Sequence, residues 1–134
     1  MNTNSTAQHE KRLMLILSIT AGLGFIAWTL YLAELSVSAI AFLILSCGWV
    51  ALPYGLLAMI AYSSCNLRLS RIFWFVCFLL VTVFGYWMFD TIDEDAQGPL
   101  MIIFGPFYQV VAIVPFAGMI FLSDFILRQR KQSG

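Results

Sequence analysis

A tyrosine and a glutamine interrupt the last of four long apolar runs, and they are the side chains there that could do chemistry. Tyr108 and Gln109 follow Pro99 by about ten residues, which places the Gln109 amide roughly 15 Å along a helix, near the centre of a bilayer. An amide facing lipid would cost several kcal/mol in unsatisfied donors, so we predict that Gln109 points inward. Either the pair lines a polar cavity or partner groove, or Gln109 bonds to another span, for example to the carbonyl freed by Pro53.

The same run contains several residues that disfavour a regular helix. A proline inside a helix removes one N–H donor and frees the carbonyl four residues earlier. The sequence therefore predicts helix breaks at four positions: Pro53 in the second apolar run, and Gly105, Pro106 and Pro115 in the fourth.

An acidic residue, Asp124, lies at the end of the fourth run. It precedes Arg128 by four residues, which is the spacing of a helical ion pair, and Arg68 or Arg71 could also reach it. The alternatives are an interfacial ion pair and proton handling. A proton-coupled carrier is expected to keep an ionisable group at membrane depth, and the first three runs contain none. This absence argues against a proton-driven multidrug pump of the small four-span type.

Four acids follow the third apolar run and form an acidic cluster: Asp90, Asp93, Glu94 and Asp95. Carboxylate oxygens attract divalent cations, but the glycine and the spacing of a calcium loop are missing. The other interpretations are a solvated loop and a recognition surface for a positively charged partner.

The composition indicates the elements that position these residues. The chain has 134 residues, of which 61% are hydrophobic and 10% charged, whereas soluble domains have about 25% charged residues. Mean hydropathy is +0.90. Apolar runs at 13–33, 39–62, 72–89 and 99–123 are each about long enough to cross a bilayer. The prediction is an all-α, integral membrane four-helix transmembrane bundle over 13–124, with a disordered polar tail at 1–12 and a basic tail at 125–134.

The basic residues fall into three groups that four crossings place on one side. The groups are Lys11 and Arg12, Arg68 and Arg71, and Arg128, Arg130 and Lys131. By the positive-inside rule that side is the cytoplasm, so both termini are predicted to be cytoplasmic. Glu34 and the acidic cluster, five of the seven acids, then lie on the opposite side.

Several classes of function are disfavoured. The single histidine, His9, lies in the N-terminal tail away from any Ser and acid set, and phosphate-binding glycine loops are absent, so catalysis is not expected. The three cysteines lie within or beside apolar runs and are interpreted as packing residues. No His or Cys motif predicts a metal site, and no cofactor is expected. Zero net charge gives no indication of nucleic acid.

One stretch suggests a setting for the chain. The DAQG sequence that begins at Asp95, followed by Pro106 and the Tyr108–Gln109 pair, resembles a pattern in small uncharacterised four-span inner-membrane proteins of bacteria. The resemblance implies a bacterial inner membrane and no particular activity.

We therefore expect a lipid-embedded protein that acts through contact with another protein. The partner would be a membrane or periplasmic protein, and the chain an immunity-type protein against a membrane-active toxin or an accessory of a larger complex. The alternative is a small channel or transporter with the fourth span lining the path. It would be a homo-oligomer, because four short spans enclose little volume. A structural assembly factor is the third class.

Overall fold

The computed structural model describes residues 3–32, 40–91 and 98–134, and within them the fold is all-α. The helices are α1 (Thr3–Leu32), α2 (Ile40–Ser63), α3 (Arg68–Thr91) and α4 (Gly98–Gln132). Each is long and apolar enough to span a membrane. The prediction of an all-α fold with four membrane-length helices is confirmed.

The first and last helices extend beyond the predicted spans. α1 has 30 residues and α4 has 35, which correspond to about 45 and 52 Å, against about 36 Å for the 24 residues of α2 or α3. The polar segment 3–12, for which the sequence predicts disorder, is helical and continuous with α1. Its composition lacks helical periodicity, but contacts to α3 and to the α2–α3 connection, described below, fix its position.

The helices form two antiparallel hairpins. α1 packs on α2, α3 packs on α4, and α2 also packs against α4. Aromatic rings bridge α1 and α3 where their backbones are farther apart. Phe25 and Trp28 of α1 lie 5.3 and 5.4 Å from Phe89 of α3, measured between ring centroids, and Trp28 lies 5.6 Å from Tyr86. The hairpins are thus joined by rings on one side and by the α2–α4 contact on the other.

The interior of the bundle is filled by large side chains. Trp74 is fully buried, its ring stacks on Phe78 at 5.2 Å, and its indole N–H donates to the carbonyl of Leu57 on α2 at 2.8 Å. Tyr54 stacks on Phe25 at 5.3 Å. Because an indole N–H must be satisfied when it is buried, the Trp74 bond fixes the position of α3 relative to α2.

The predicted helix breaks do not interrupt the helices. α2 continues through Pro53, and α4 continues through Gly105, Pro106 and Pro115. A proline removes a single backbone bond, while the rest of each long helix keeps its own. Beside Pro106, the indole N–H of Trp49 on α2 donates to the carbonyl of Ile103 at 2.7 Å, so α2 supports α4 at this position.

Candidate functional site

The Gln109 side chain lies inside the bundle and is 5% exposed. Its Nε2 donates a hydrogen bond to the carbonyl of Val81 on α3 at 2.9 Å. Gln109 therefore bonds across to another span. The acceptor differs from the carbonyl freed by Pro53 that the sequence suggested, because it lies on α3 and not on α2.

A glycine makes this bond possible. Gly85 lies one turn after Val81 on α3, and a Cβ built there would be 2.6 Å from Gln109 Nε2 and 2.9 Å from Cζ of Phe25. Gly105 on α4 has the same role nearer the helix end, because a Cβ there would overlap the Met88 side chain. The absence of these two side chains allows α3 and α4 to approach closely.

Tyr108 lies on a different face of α4 from Gln109. It is 56% exposed and borders an outer groove of about 340 Å³ between α3 and α4, which Trp87, Met88 and Phe104 also line. Successive residues of a helix are about 100° apart, so neighbours in sequence need not share a face. The structure thus separates Tyr108 from Gln109, and of the two alternatives it shows the one in which Gln109 bonds to another helix.

Asp124 on α4 points into the bundle at the opposite end from the α3–α4 connection, and it is 7% exposed. Its carboxylate accepts hydrogen bonds from Ser70 Oγ at 2.8 Å and from Asn66 Nδ2 at 3.5 Å. Among the described residues no basic group lies within 4 Å of it, and Arg128 is exposed. The predicted Asp124–Arg128 ion pair is therefore absent. The Asp124 carboxylate is buried against Ser70 at the start of α3, whereas Arg128 lies one turn further along α4, where the helix is exposed.

Asn66, in the α2–α3 connection, is the centre of a polar network at this end of the bundle. Its Oδ1 accepts from the Lys11 ammonium at 2.8 Å, and its carbonyl accepts from Arg71 Nη1 at 3.1 Å. The Arg71 guanidinium also forms an ion pair with Glu10. Together with the bonds of Asp124, these contacts link α1, α3 and α4 to the connection between α2 and α3.

Sequence reasoning missed Asn66 and Ser70 as members of this network. The available signal was that the segment 63–71 is the polar break between the second and third apolar runs. A polar residue in such a short connection must lie close to the polar side chains at the adjoining helix ends. The identity of its partners depends on helix rotation, which an apolar pattern defines poorly.

Cys65 lies beside this network and is fully buried. Burial raises the pKa of its thiol to about 12, and the negative charge of Asp124 adds to the rise, while Lys11 and Arg71 act in the opposite direction. The thiol is therefore neutral at ordinary pH and cannot serve as a nucleophile, which requires the thiolate. This agrees with the interpretation of Cys65 as a packing residue.

An open cleft of about 620 Å³ lies beside Asp124, between the end of α2 and the last turns of α4. We call it the basic-end cleft. It is lined by Ser63, Ser64, Gly118, Phe121, Leu122, Asp124, Phe125 and Arg128. Its wall is mostly apolar, and its rim carries two hydroxyls and a guanidinium.

The acidic cluster is described only in part. Asp90 is exposed near the end of α3, while Asp93, Glu94 and Asp95 lie outside the described residues. Within ranges 3–32, 40–91 and 98–134, no group of three or more His, Cys, Asp or Glu side chains could hold a metal ion. No protein-family model, curated protein or solved structure matches the chain.

Proposed function

We propose that the chain is an integral membrane protein of a bacterial inner membrane that acts through contact with another protein, as an immunity-type or accessory protein. The outward faces of the four helices are largely apolar, which suits contact with lipid. The three basic groups lie at the end that holds the Asn66 network, and the positive-inside rule assigns that end to the cytoplasm. Both termini are then cytoplasmic.

The observation that carries a function in binding is the position of the two polar groups about one third of the way along α4. The inward one, Gln109, is bonded to α3, and aromatic rings fill the interior beside it. The outward one, Tyr108, has no hydrogen-bond partner among the described residues. A phenol hydroxyl facing lipid is unfavourable, so a partner that covers it and accepts its hydrogen bond would be stabilised there. The groove beside Tyr108 offers the apolar part of such a contact.

Photocrosslinking in cells tests this proposal directly. A photoreactive phenylalanine analogue at Tyr108 should capture one dominant protein partner, because it replaces one ring with another at the proposed contact. The matched control places the same analogue at Leu79, which lies on α3 and is 60% exposed. Equal and diffuse crosslinking from the two positions would refute a specific contact at Tyr108.

The immunity version of the proposal assigns recognition to the acidic cluster. Asp90 is exposed at the end opposite the basic groups, so a positively charged toxin could approach it from outside. The test is co-expression with a pore-forming toxin, comparing the native chain with a variant in which Asp90, Asp93, Glu94 and Asp95 become Asn or Gln. Unchanged protection would remove the cluster from recognition.

The alternative function, an oligomeric channel or transporter, also involves Tyr108, but as a residue that lines the conduction path. If copies assembled around α4, Tyr108 would be the polar group on the path between them. Flux from liposomes that falls in Tyr108→Phe would favour this alternative, and Gln109→Leu serves as the comparison at the inward position. Under the interaction proposal, the purified chain conducts no solute.

A further inference from the structure

The basic-end cleft combines an apolar wall with a polar rim. Phe121, Leu122 and Phe125 of α4 supply the wall, and Ser63 and Ser64 at the end of α2 supply two hydroxyls. Ser63 Oγ donates to the Met59 carbonyl at 2.9 Å and lies 3.4 Å from Ser64 Oγ. The single proton of Ser63 is thus engaged, and Ser64 is the hydroxyl that can donate to an occupant. An occupant therefore needs an apolar part and a group that accepts hydrogen bonds.

The cleft has free space beside Gly118 on α4. A Cβ built at Gly118 meets no atom within 4 Å. From Gly118 to Phe125 the helix rises by about 10 Å, and this length of wall is lined by apolar side chains. The space suits an extended hydrocarbon chain lying parallel to α4.

The end of the molecule that holds the cleft has an excess of positive charge, and the cleft lining itself carries one cation, Arg128, and one carboxylate, Asp124. Of the described residues, the seven basic side chains and two acids, Glu10 and Asp124, lie at this end, which leaves a net charge of +5. The carboxylate of Asp124 is in the cleft wall, but it accepts from Ser70 and Asn66, and Asn66 in turn accepts from the Lys11 ammonium. Arg128 is exposed on the rim and has no carboxylate within 4 Å among the described residues. Its guanidinium is free to bind an anion.

We propose that the basic-end cleft binds a phospholipid with an anionic headgroup. The phosphate lies against Arg128 and the hydroxyl of Ser64, and an acyl chain follows the apolar wall. The unpaired arginine at the rim and the excess of basic residues at this end of the molecule, which the positive-inside rule assigns to the cytoplasm, favour a lipid with an anionic headgroup. The proposal rests on the proposed membrane insertion, and it is independent of the protein partner and of Tyr108.

Native mass spectrometry of the full chain tests it. The protein is released from nonionic micelles that contain equal amounts of dioleoyl phosphatidylglycerol and dioleoyl phosphatidylcholine. We expect retained phosphatidylglycerol. Gly118→Leu should abolish retention, because its side chain occupies the cleft. The matched control is Gly48→Leu on α2, where a Cβ also meets nothing within 4 Å and which does not line the cleft.

A second pair of variants tests the charge without filling the cleft. Arg128→Gln should weaken phosphatidylglycerol binding about fivefold, the effect of one basic residue at a membrane surface. Arg130→Gln removes an exposed charge that does not line the cleft, and it should weaken binding less. Both substitutions are at exposed positions, so each variant should keep the melting temperature of the native chain.

Results of three kinds would overturn the proposal. The first is equal retention of the two lipids by the native chain, or equal loss of binding in Arg128→Gln and Arg130→Gln. The second is displacement of the lipid by inorganic phosphate at the same concentration, which would assign the rim to free phosphate. The third is a retained polypeptide that is lost in Gly118→Leu, which would assign the cleft to a protein. Failure of the Tyr108 crosslink would leave these outcomes unchanged.

Discussion

Adding one methyl group at Gly85 should destabilise the bundle measurably. In Gly85→Ala the new Cβ lies 2.6 Å from Gln109 Nε2 and 2.9 Å from the Phe25 ring, so the amide must leave the Val81 carbonyl or α3 must move away from α4. Overpacking of this kind costs about 1–3 kcal/mol. Loss of the interhelical hydrogen bond adds about 0.6 kcal/mol, a typical value within membranes. The sum is roughly 2–4 kcal/mol, and the helix propensity that Ala gains over Gly offsets up to about 1 kcal/mol of it. The net cost, about 1–3 kcal/mol, is a large part of the stability of a small protein.

The measurement is the free energy of unfolding in mixed micelles. Gly48→Ala is the control, since its Cβ would meet nothing within 4 Å, and Ala in place of Gly in a helix gains up to about 1 kcal/mol. A double-mutant cycle with Gln109→Ala isolates the contact, because shortening Gln109 removes the nearer clash and leaves the one with Phe25. Gly85→Ala should then cost less in the Gln109→Ala background. If Gly85→Ala is as stable as Gly48→Ala, or the two changes are additive, the close approach at Gly85 is not as described.

Three further predictions concern the buried polar groups. Asp124→Ala should lower the free energy of unfolding by about 1–3 kcal/mol, because it leaves the buried Ser70 hydroxyl without its acceptor. Arg128→Gln should change it by less than about 0.5 kcal/mol. A larger effect of Arg128→Gln would indicate that Asp124 and Arg128 do form an ion pair. Trp74→Phe should lower the free energy of unfolding by about 1–3 kcal/mol, because the hydrogen bond to the Leu57 carbonyl is lost. Trp87→Phe, at a position that is 57% exposed, should change it little. Equal melting temperatures of the two variants would refute this difference. With Cys47 and Cys77 replaced by alanine, iodoacetamide should label Cys65 more slowly in folded than in denatured protein at pH 9, since burial raises the pKa of Cys65 to about 12. The folded state holds the thiol proton of Cys65 more tightly than the unfolded state does. This contribution to the free energy of unfolding is therefore complete below the ordinary thiol pKa of about 8.5 and is lost as pH rises towards 12. Equal labelling rates in folded and denatured protein would contradict the burial of Cys65.

The number of helices and their approximate bounds could be predicted because apolar length is a strong signal. The inward direction of Gln109 could be argued from the cost of an amide in lipid, and its side chain is indeed buried against α3. The grouping of Tyr108 with Gln109 used proximity in sequence, whereas a helix turns about 100° per residue. The helical phase of the two positions is by itself sufficient to separate them.

The Asn66 network depends on information that local patterns lack. The contact of Lys11 with Asn66 joins positions 55 residues apart, and that of Ser70 with Asp124 joins positions 54 apart. Asp124 could be paired with Arg128 on spacing alone, but the choice between Arg128 and Ser70 as its partner depends on which way α4 is rotated. The helical state of 3–12 has the same origin, because a polar segment without periodicity is ordered here by its contacts with Asn66 and Arg71.

The two longest helices reach past their neighbours at the same end of the molecule, α1 with its first turns and α4 with its last. Both are stiff rods attached to the bundle by short-range bonds at their base, through Lys11 and Glu10 on one and Asp124 on the other. A displacement of the projecting end of α1 or α4 is therefore transmitted as torque to the α2–α3 connection, because the helix between them is rigid. A load placed at Thr3 or at Gln132 would be held at a fixed height above the four-helix body, with its orientation coupled to the rotation of the helix that bears it.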